Sequence, residues 1–213
     1  MPFLLKVFVI LSPIFILTSC LSSLTLNETG RTVGKGNHEI SIAAGVPYAY
    51  AIKWNYGLTE NFDFGLKLES LTQSFRLKYA LIQGSSVDSG ALAIAGGAGI
   101  GDGGKSKHYY GDIIASALGS SWEPYAALRL GYVDAKTDIK SDNYPSFIIS
   151  LTENLAAGRT TYAYGQTFLG TRYWFSKSTF LSLEGAYLFV FDEKGNIEPS
   201  GAATGGIALG FRF

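Results

Sequence analysis

The sequence predicts an all-β protein, a closed antiparallel up-and-down β-barrel that crosses a membrane with about ten strands. From Gly36 onward, bulky apolar residues alternate with small or polar ones at a period of two, as along a half-buried strand. One face of these strands is bulky and apolar, whereas the other is mainly glycine and alanine with isolated charges. The chain also ends on such a strand, GGIALGFRF, where soluble proteins usually carry a frayed polar tail.

The composition suits one membrane-embedded domain. The chain has 213 residues and a net charge of zero, and only 16% of its residues are charged, which is low for a surface that faces water. Aromatic residues make up 14% of the chain, and 26 residues are glycine. No basic stripe is present, so nucleic acid is excluded as a partner.

The first residues predict a signal peptide over 1–19. Lys6 supplies a positive charge, and the apolar run from Leu4 to Leu17 is too short and too interrupted for a membrane-spanning helix, although such an anchor is an alternative. The run ends in Leu17-Thr18-Ser19-Cys20, which resembles the lipobox of bacterial lipoproteins. The resemblance implies cleavage before Cys20 by lipoprotein-processing enzymes and an acyl chain such as palmitate on its thiol. An incidental cysteine in an ordinary signal peptide is the other alternative.

Three regions follow from this reading. Residues 1–19 are the signal peptide, 20–35 are a lipidated N-terminus and a polar tether, and 36–213 are the barrel. Cys20 is the only cysteine, so it cannot form an internal disulfide, and lipidation gives it a role. Leu21 follows it in place of the aspartate that retains many lipoproteins at the inner membrane, so the resemblance permits delivery to the outer membrane.

Ten strands are counted from the alternation. It is clearest in FDFGLKLE (62–69) and SFRLKYAL (74–81), and short connections gather at one end while longer polar ones gather at the other. Eight and twelve strands are the alternatives, twelve if residues 145–158 add a hairpin. An odd number is not expected, because bacterial barrels have an even strand count.

The polar face decides between two kinds of barrel. In a lipocalin-like barrel the apolar face lines a cavity, whereas in a membrane barrel it faces lipid and the polar face fills the lumen. Small residues with charges of both signs suit a narrow interior in which charges pair. The predicted lumen charges are Glu39, Lys53, Asp63, Lys67, Glu69, Arg76, Lys78, Asp112, Arg129, Arg172, Glu184 and Arg212.

Aromatic residues cluster towards both ends of the strands, as in the two interfacial girdles of membrane barrels. Those beside the short turns are Tyr56, Phe62, Tyr125, Tyr173, Phe175, Phe180, Phe211 and Phe213. Those towards the longer connections are Tyr48, Tyr109, Tyr132, Tyr162, Phe189 and Phe191.

The last strand resembles the C-terminal signal of bacterial outer-membrane β-barrels. That signal has a terminal phenylalanine preceded by alternating apolar residues, here Ile207, Leu209, Phe211 and Phe213. The resemblance implies a location in the outer membrane of a Gram-negative bacterium, contact with its lipids, and recognition by the barrel assembly machinery. A closed barrel pairs its last strand with its first, which explains an ordered terminus.

No residues make a convincing catalytic, cofactor or metal site. His38 opens the first strand, and we interpret His108 as a solvated loop residue, although a dyad with Asp102 or Asp112 is conceivable. The GxGxxG match at 99–104 lacks the helix that a phosphate site needs, so its glycines are assigned to a flexible loop. No spacing of metal ligands is present.

The predicted function is therefore that of an outer-membrane β-barrel lipoprotein with a structural or surface-binding role and a narrow, charge-paired lumen. A small-solute or ion channel, porin-like in kind, is the alternative. A tethered periplasmic lipocalin-like ligand binder is the alternative at the level of the fold. An enzyme, either a lipid-modifying enzyme or a protease, is the least favoured class, and the ligand is unknown.

Overall fold

The computed structural model of the protein describes residues 24–46, 49–70, 72–84, 86–101, 105–137, 158–194 and 201–213. Cys20, the signal-peptide region and residues 145–157 lie outside these ranges. In the part of the chain that is described, no helix has the length and apolar character needed to cross a membrane.

Ten antiparallel strands form one closed barrel in which every strand pairs with its neighbours in sequence. The predicted fold class is confirmed, and because β7 pairs directly with β8 the alternatives of eight and twelve strands are wrong. The strands are β1 (His38–Val46), β2 (Ala49–Gly57), β3 (Phe62–Glu69), β4 (Thr72–Gln83), β5 (Ser89–Gly101), β6 (Ser106–Leu118), β7 (Trp122–Thr137), β8 (Gly158–Trp174), β9 (Thr179–Lys194) and β10 (Gly201–Arg212).

The two chain ends of the barrel close it against each other. β1 pairs with β10 over eight residue pairs from Glu39–Arg212 to Val46–Gly205. The pairing extends to the last residue, because His38 and Phe213 exchange two backbone hydrogen bonds of 2.7 and 2.9 Å. The terminal phenylalanine is thus ordered by the same ladder that removes the sheet edge.

The barrel carries its apolar side chains outside and its charges inside. Large outward side chains such as Ile42 and Leu169 are 59% and 71% exposed, whereas the inward Arg129 is fully buried. Such an exterior is stable in lipid and not in water. A lipocalin-like barrel has the opposite arrangement, so the alternative at the level of the fold is wrong.

The two ends of the barrel differ. At the near end, short connections join β2 to β3, β4 to β5, β6 to β7 and β8 to β9, and both His38 and Phe213 lie there. The opposite end, called the far end below, carries the connections from β1 to β2, β3 to β4, β5 to β6, β7 to β8 and β9 to β10. The longest strands are β7, β8 and β9, with 16 or 17 residues each.

Inward glycines make room for inward aromatic rings. In five cross-strand pairs, an aromatic or histidine ring lies against a glycine of the adjacent strand, and a Cβ there would come within 2.6 Å of the ring. A glycine is required at such a close approach of ring and backbone. The pairs are Gly97–Tyr110, Gly99–His108, Gly131–Tyr164, Gly170–Tyr125 and Gly210–Phe180.

Two members of the predicted near-end girdle are therefore wrong. Tyr125 and Phe180 are 4% and 0% exposed and point into the lumen. The assignment used their closeness to turns and ignored the period of two, which places Tyr125 on the same face as Arg129. Tyr162 of the predicted far-end girdle is also wrong, because it packs against the buried Val133 and Tyr164. Phe175, Phe211 and other predicted girdle residues are exposed on the outer wall.

The contact between glycine and ring predicts the effect of adding one methyl group. In Gly131→Ala, the new Cβ would lie 2.3 Å from Cζ of Tyr164, so the ring must shift and the free energy of unfolding should fall by about 1–3 kcal/mol. Urea unfolding in lipid vesicles, followed by tryptophan fluorescence, measures it.

The matched control is Gly185→Ala, in which the new methyl group meets nothing within 4 Å. Its stability should equal that of the wild type. Equal stability of both variants would contradict the close packing of Tyr164 on β7.

Candidate functional site in the barrel lumen

A segment of the chain itself fills the lumen. Residues 24–33, named here the strap, are all buried inside the barrel. The sequence predicts a lipidated N-terminus and a tether over 20–35, and for these ten residues the prediction of a tether is wrong. The strap has the polar composition of a linker, but its polar groups bind to the wall of the lumen and not to water.

Wall carboxylates accept the N–H groups of the strap. Glu69 accepts hydrogen bonds from the backbone of Leu24 and Thr25 at 3.1 and 2.8 Å. Glu184 does the same for Leu26 and Asn27 at 3.0 and 2.5 Å. Each carboxylate thereby holds two consecutive backbone donors that have no strand partner.

Cationic side chains of the wall donate to the carbonyl groups of the strap. Lys53 Nζ lies 3.2 and 2.5 Å from the carbonyl oxygens of residues 26–27, and Lys67 Nζ lies 2.6 Å from that of Thr25. Lys78 reaches the carbonyl of Arg31 at 2.7 Å. The buried backbone is satisfied by side chains in place of a β-ladder.

Glu28 of the strap is the centre of the largest charge cluster. Its carboxylate pairs with Lys53 and Lys78, each at 3.3 Å, and with Arg76. Arg76 also faces Asp112 at 3.4 Å, and Asp112 pairs with Arg129 at 2.7 Å. One strap carboxylate therefore compensates three cations of β2 and β4, which would otherwise be buried with an excess of positive charge.

At the near end, Arg31 joins the strap to β7. Its Nε lies 3.2 Å from Glu123, which is 1% exposed and also accepts a hydrogen bond from the indole of Trp174. Glu123 is a lumen charge that is missing from the twelve predicted from the sequence. Val33 then donates its N–H to Asp63 at 3.1 Å, where the strap leaves the lumen.

A separate cluster lies beside the seam of β1 and β10. Glu39 accepts from Arg172 at 3.1 Å and from Arg212 at 2.7 Å. The guanidinium of Arg172 also lies 3.8 Å from the ring centre of Phe180, a cation–π contact. Arg172 links this cluster to the strap through a hydrogen bond to the carbonyl of Asn27.

The other predicted residues are placed as follows. The lumen charges are buried in the interior, except that the side chain of Arg212 keeps 23% exposure at the near end. The residues of the predicted assembly signal are exposed on the outer wall, and they are Ile207, Leu209, Phe211 and Phe213. Cys20 lies outside the described residues.

His108 is a buried wall residue and not a solvated loop residue. It lies in β6, is 0% exposed, and its two ring nitrogens have no hydrogen-bond partner among the described residues. Asp112 accepts two hydrogen bonds from Arg129, and His108 forms no dyad with Asp112. Asp102, the other predicted dyad partner, lies outside the described residues. The glycine-rich run misled the assignment, because β5 extends through Gly101.

The arrangement of charges lets the wall bind the strap and so close the lumen. In the described part of the chain, no group of three or more potential metal ligands is present. The inward charges are engaged by the strap or by one another, so the wall binds an extended peptide backbone.

No family model matches the sequence, and no curated protein matches it. Among solved structures, the chain is similar to the N-terminal β-barrel domain of Pseudomonas aeruginosa OprF, with 18% identity over 84% of this chain and 99% of that one and a TM-score of 0.41. It is similar to the Yersinia pestis attachment invasion locus protein Ail, with 13% identity, coverages of 84% and 99%, and a TM-score of 0.39. The Escherichia coli outer membrane protease OmpT shows 10% identity, coverages of 88% and 99%, and a TM-score of 0.44. At this level of similarity, function is inferred from the residues of this chain alone.

The Glu28 cluster predicts how the strap is released. In Glu28→Ala, Lys53, Arg76 and Lys78 lose their common counter-charge, and breaking a buried ion pair costs about 3–5 kcal/mol. The lower end of that range, about 3 kcal/mol, corresponds to a released population about 100-fold larger. Release exposes Arg31, so trypsin should cut the folded barrel after Arg31 about 100-fold faster than in the wild type. Mass spectrometry of the fragments measures the rate.

Glu60→Ala is the matched control, because Glu60 is an exposed carboxylate at the near end and contributes only a backbone carbonyl to the strap. It should be cut at the wild-type rate. If Glu28→Ala is also cut at that rate, Glu28 does not hold the strap.

Proposed function

We propose that the protein is an outer-membrane β-barrel lipoprotein with a structural or surface-binding role, in which the strap keeps the lumen closed. The observation that carries the proposal is the buried strap, whose backbone is hydrogen-bonded by wall charges along the lumen. A ligand or partner would then bind outside the lumen, where loops usually carry binding in barrel scaffolds.

The location in the outer membrane is supported by physical features of this chain. The outer wall is apolar enough to require lipid, and closed barrels are the form in which strands cross membranes. The near end combines short turns with both ends of the barrel, as is typical of the periplasmic side of bacterial barrels. The C-terminal strand with Phe213 agrees with the signal that assembly machinery recognises.

The lipoprotein character is supported by the sequence Leu17-Thr18-Ser19-Cys20. Acylation of Cys20 would add a second attachment to lipid beside the barrel wall, each buried methylene contributing about 0.8 kcal/mol. Lipoprotein-processing enzymes and the barrel assembly machinery are then the partners in biogenesis.

A small channel is the competing function. Without the strap, the wall would present charges of both signs to a lumen about ten strands in circumference, narrow beside a sixteen-stranded porin. With the strap in place, the lumen is filled by residues 24–33, which are held by ion pairs of Glu28 and by the wall carboxylates. Conduction would require the strap to leave.

Conductance in planar bilayers separates the two functions. The full-length wild type should show no sustained conductance steps, because the strap fills the lumen. The double variant Glu28→Ala/Glu184→Ala removes two carboxylate anchors of the strap and should show steps.

Glu60→Ala serves again as the control and should remain silent. Steady conductance from the wild type, equal in size to that of the double variant, would overturn the closed lumen and establish the channel.

A further inference from the structure

The strap passes through the lumen in one direction, and that direction determines the topology of the chain. We infer that the protein is threaded through its own barrel, so that the chain enters the lumen from the far side, across the membrane from Phe213, and leaves it at the near end. Even-stranded barrels place both ends of the barrel on one side, and here Leu24, at the start of the strap, lies toward the other side.

The contacts with β3 show the direction of the strap, because each end of β3 binds one end of the strap. Glu69, the last residue of β3 at the far end, binds the N–H groups of Leu24 and Thr25. Asp63, the second residue of β3 at the near end, binds the N–H of Val33. The strap therefore runs antiparallel to β3, from far to near.

Intermediate contacts keep the same order. Glu28 binds Lys53 within β2, and Arg31 then binds Glu123, the second residue of β7 at the near end.

A tight turn then reverses the chain into β1. Gly34 and Gly36 have φ values of +85° and +76°, which favour glycine, and Asn37 donates its N–H to the carbonyl of Gly34 at 3.1 Å. Gly36 donates to the carbonyl of Gly57 at 2.8 Å, which places the turn at the near end. The chain thus runs from the far end to the near end inside the lumen and returns toward the far end as β1 in the wall.

The short chain between Cys20 and the strap limits which leaflet of the membrane a lipid anchor could reach, and this step rests on the proposed function. Leu24 is four positions after Cys20, so the two residues lie at most about 14 Å apart when the chain is extended. The apolar band of such a barrel is about 25 Å tall. Since Glu69 at the far end of β3 binds the N–H of Leu24, acyl chains on Cys20 would be directed toward the far leaflet and not toward the near one.

A single added thiol tests the topology in cells that make the full chain. Ser23→Cys places a cysteine directly before the strap, and a membrane-impermeant maleimide should label it in intact cells. Ser120→Cys, in the near-end turn between β6 and β7, should be labelled only after permeabilisation. Labelling of Ser23→Cys only after permeabilisation would overturn the inference. Wild-type cells give the background from Cys20.

An epitope inserted between Leu21 and Ser22 provides a second readout that does not depend on thiol reactivity. Antibody binding to intact cells supports threading, provided that the same epitope at 119–121 is reached only after permeabilisation. Heat-dependent gel mobility shows that each variant has folded. Failure to bind in intact cells, with a folded barrel, overturns threading.

Labelled palmitate distinguishes this inference from the lipoprotein proposal. Label that is present in the wild type and lost in Cys20→Ser supports lipidation. If the wild type carries no label while Ser23→Cys still reacts in intact cells, lipidation is wrong and threading stands.

Discussion

A buried polypeptide backbone must find hydrogen-bond partners, and this constraint explains the interior of the barrel. The strap cannot join the sheet, because the barrel is closed and every strand is already paired on both sides. Its donors and acceptors are therefore satisfied by side chains, with carboxylates such as Glu69 and Glu184 on the N–H groups and lysines on the carbonyls. Leaving such groups unpaired would cost about 1–3 kcal/mol each, so the lumen charges and the strap stabilise one another.

The same constraint links the interior to the exterior. Along each of the ten strands, side chains alternate between the two faces of the wall. Bulky apolar residues therefore face lipid, and glycine, alanine and charged residues face the lumen. Inward glycines let rings such as Tyr110 and Tyr164 pack closely against the adjacent strand. Arg129 packs on Tyr110 at 4.2 Å while it pairs with Asp112, so packing and charge compensation involve the same side chains. The result is a barrel whose lumen is occupied by its own chain.

The fold could be predicted from the sequence because its signal is local. Alternation at a period of two places Arg129 or Lys67 on the inner face without knowledge of any partner. The strap could not be predicted in this way, because its order depends on contacts as distant as Leu26 with Glu184, 158 residues apart. The opposite charges of Glu28 and Arg31 were the only signal, and a solvated linker carries the same composition. His108 was misplaced and Glu123 was missed because their strands extend further than the neighbouring glycine and serine residues suggested.

Hydrogen–deuterium exchange of the strap amides in the full-length protein, folded in lipid, tests directly whether the strap is part of the folded barrel. Amides of residues 24–33 should exchange as slowly as those of the central strands, because they are buried and bound to wall side chains. Exchange of these amides within seconds, at the rate of an unstructured chain, while the strands remain protected, would show that the lumen does not hold the strap.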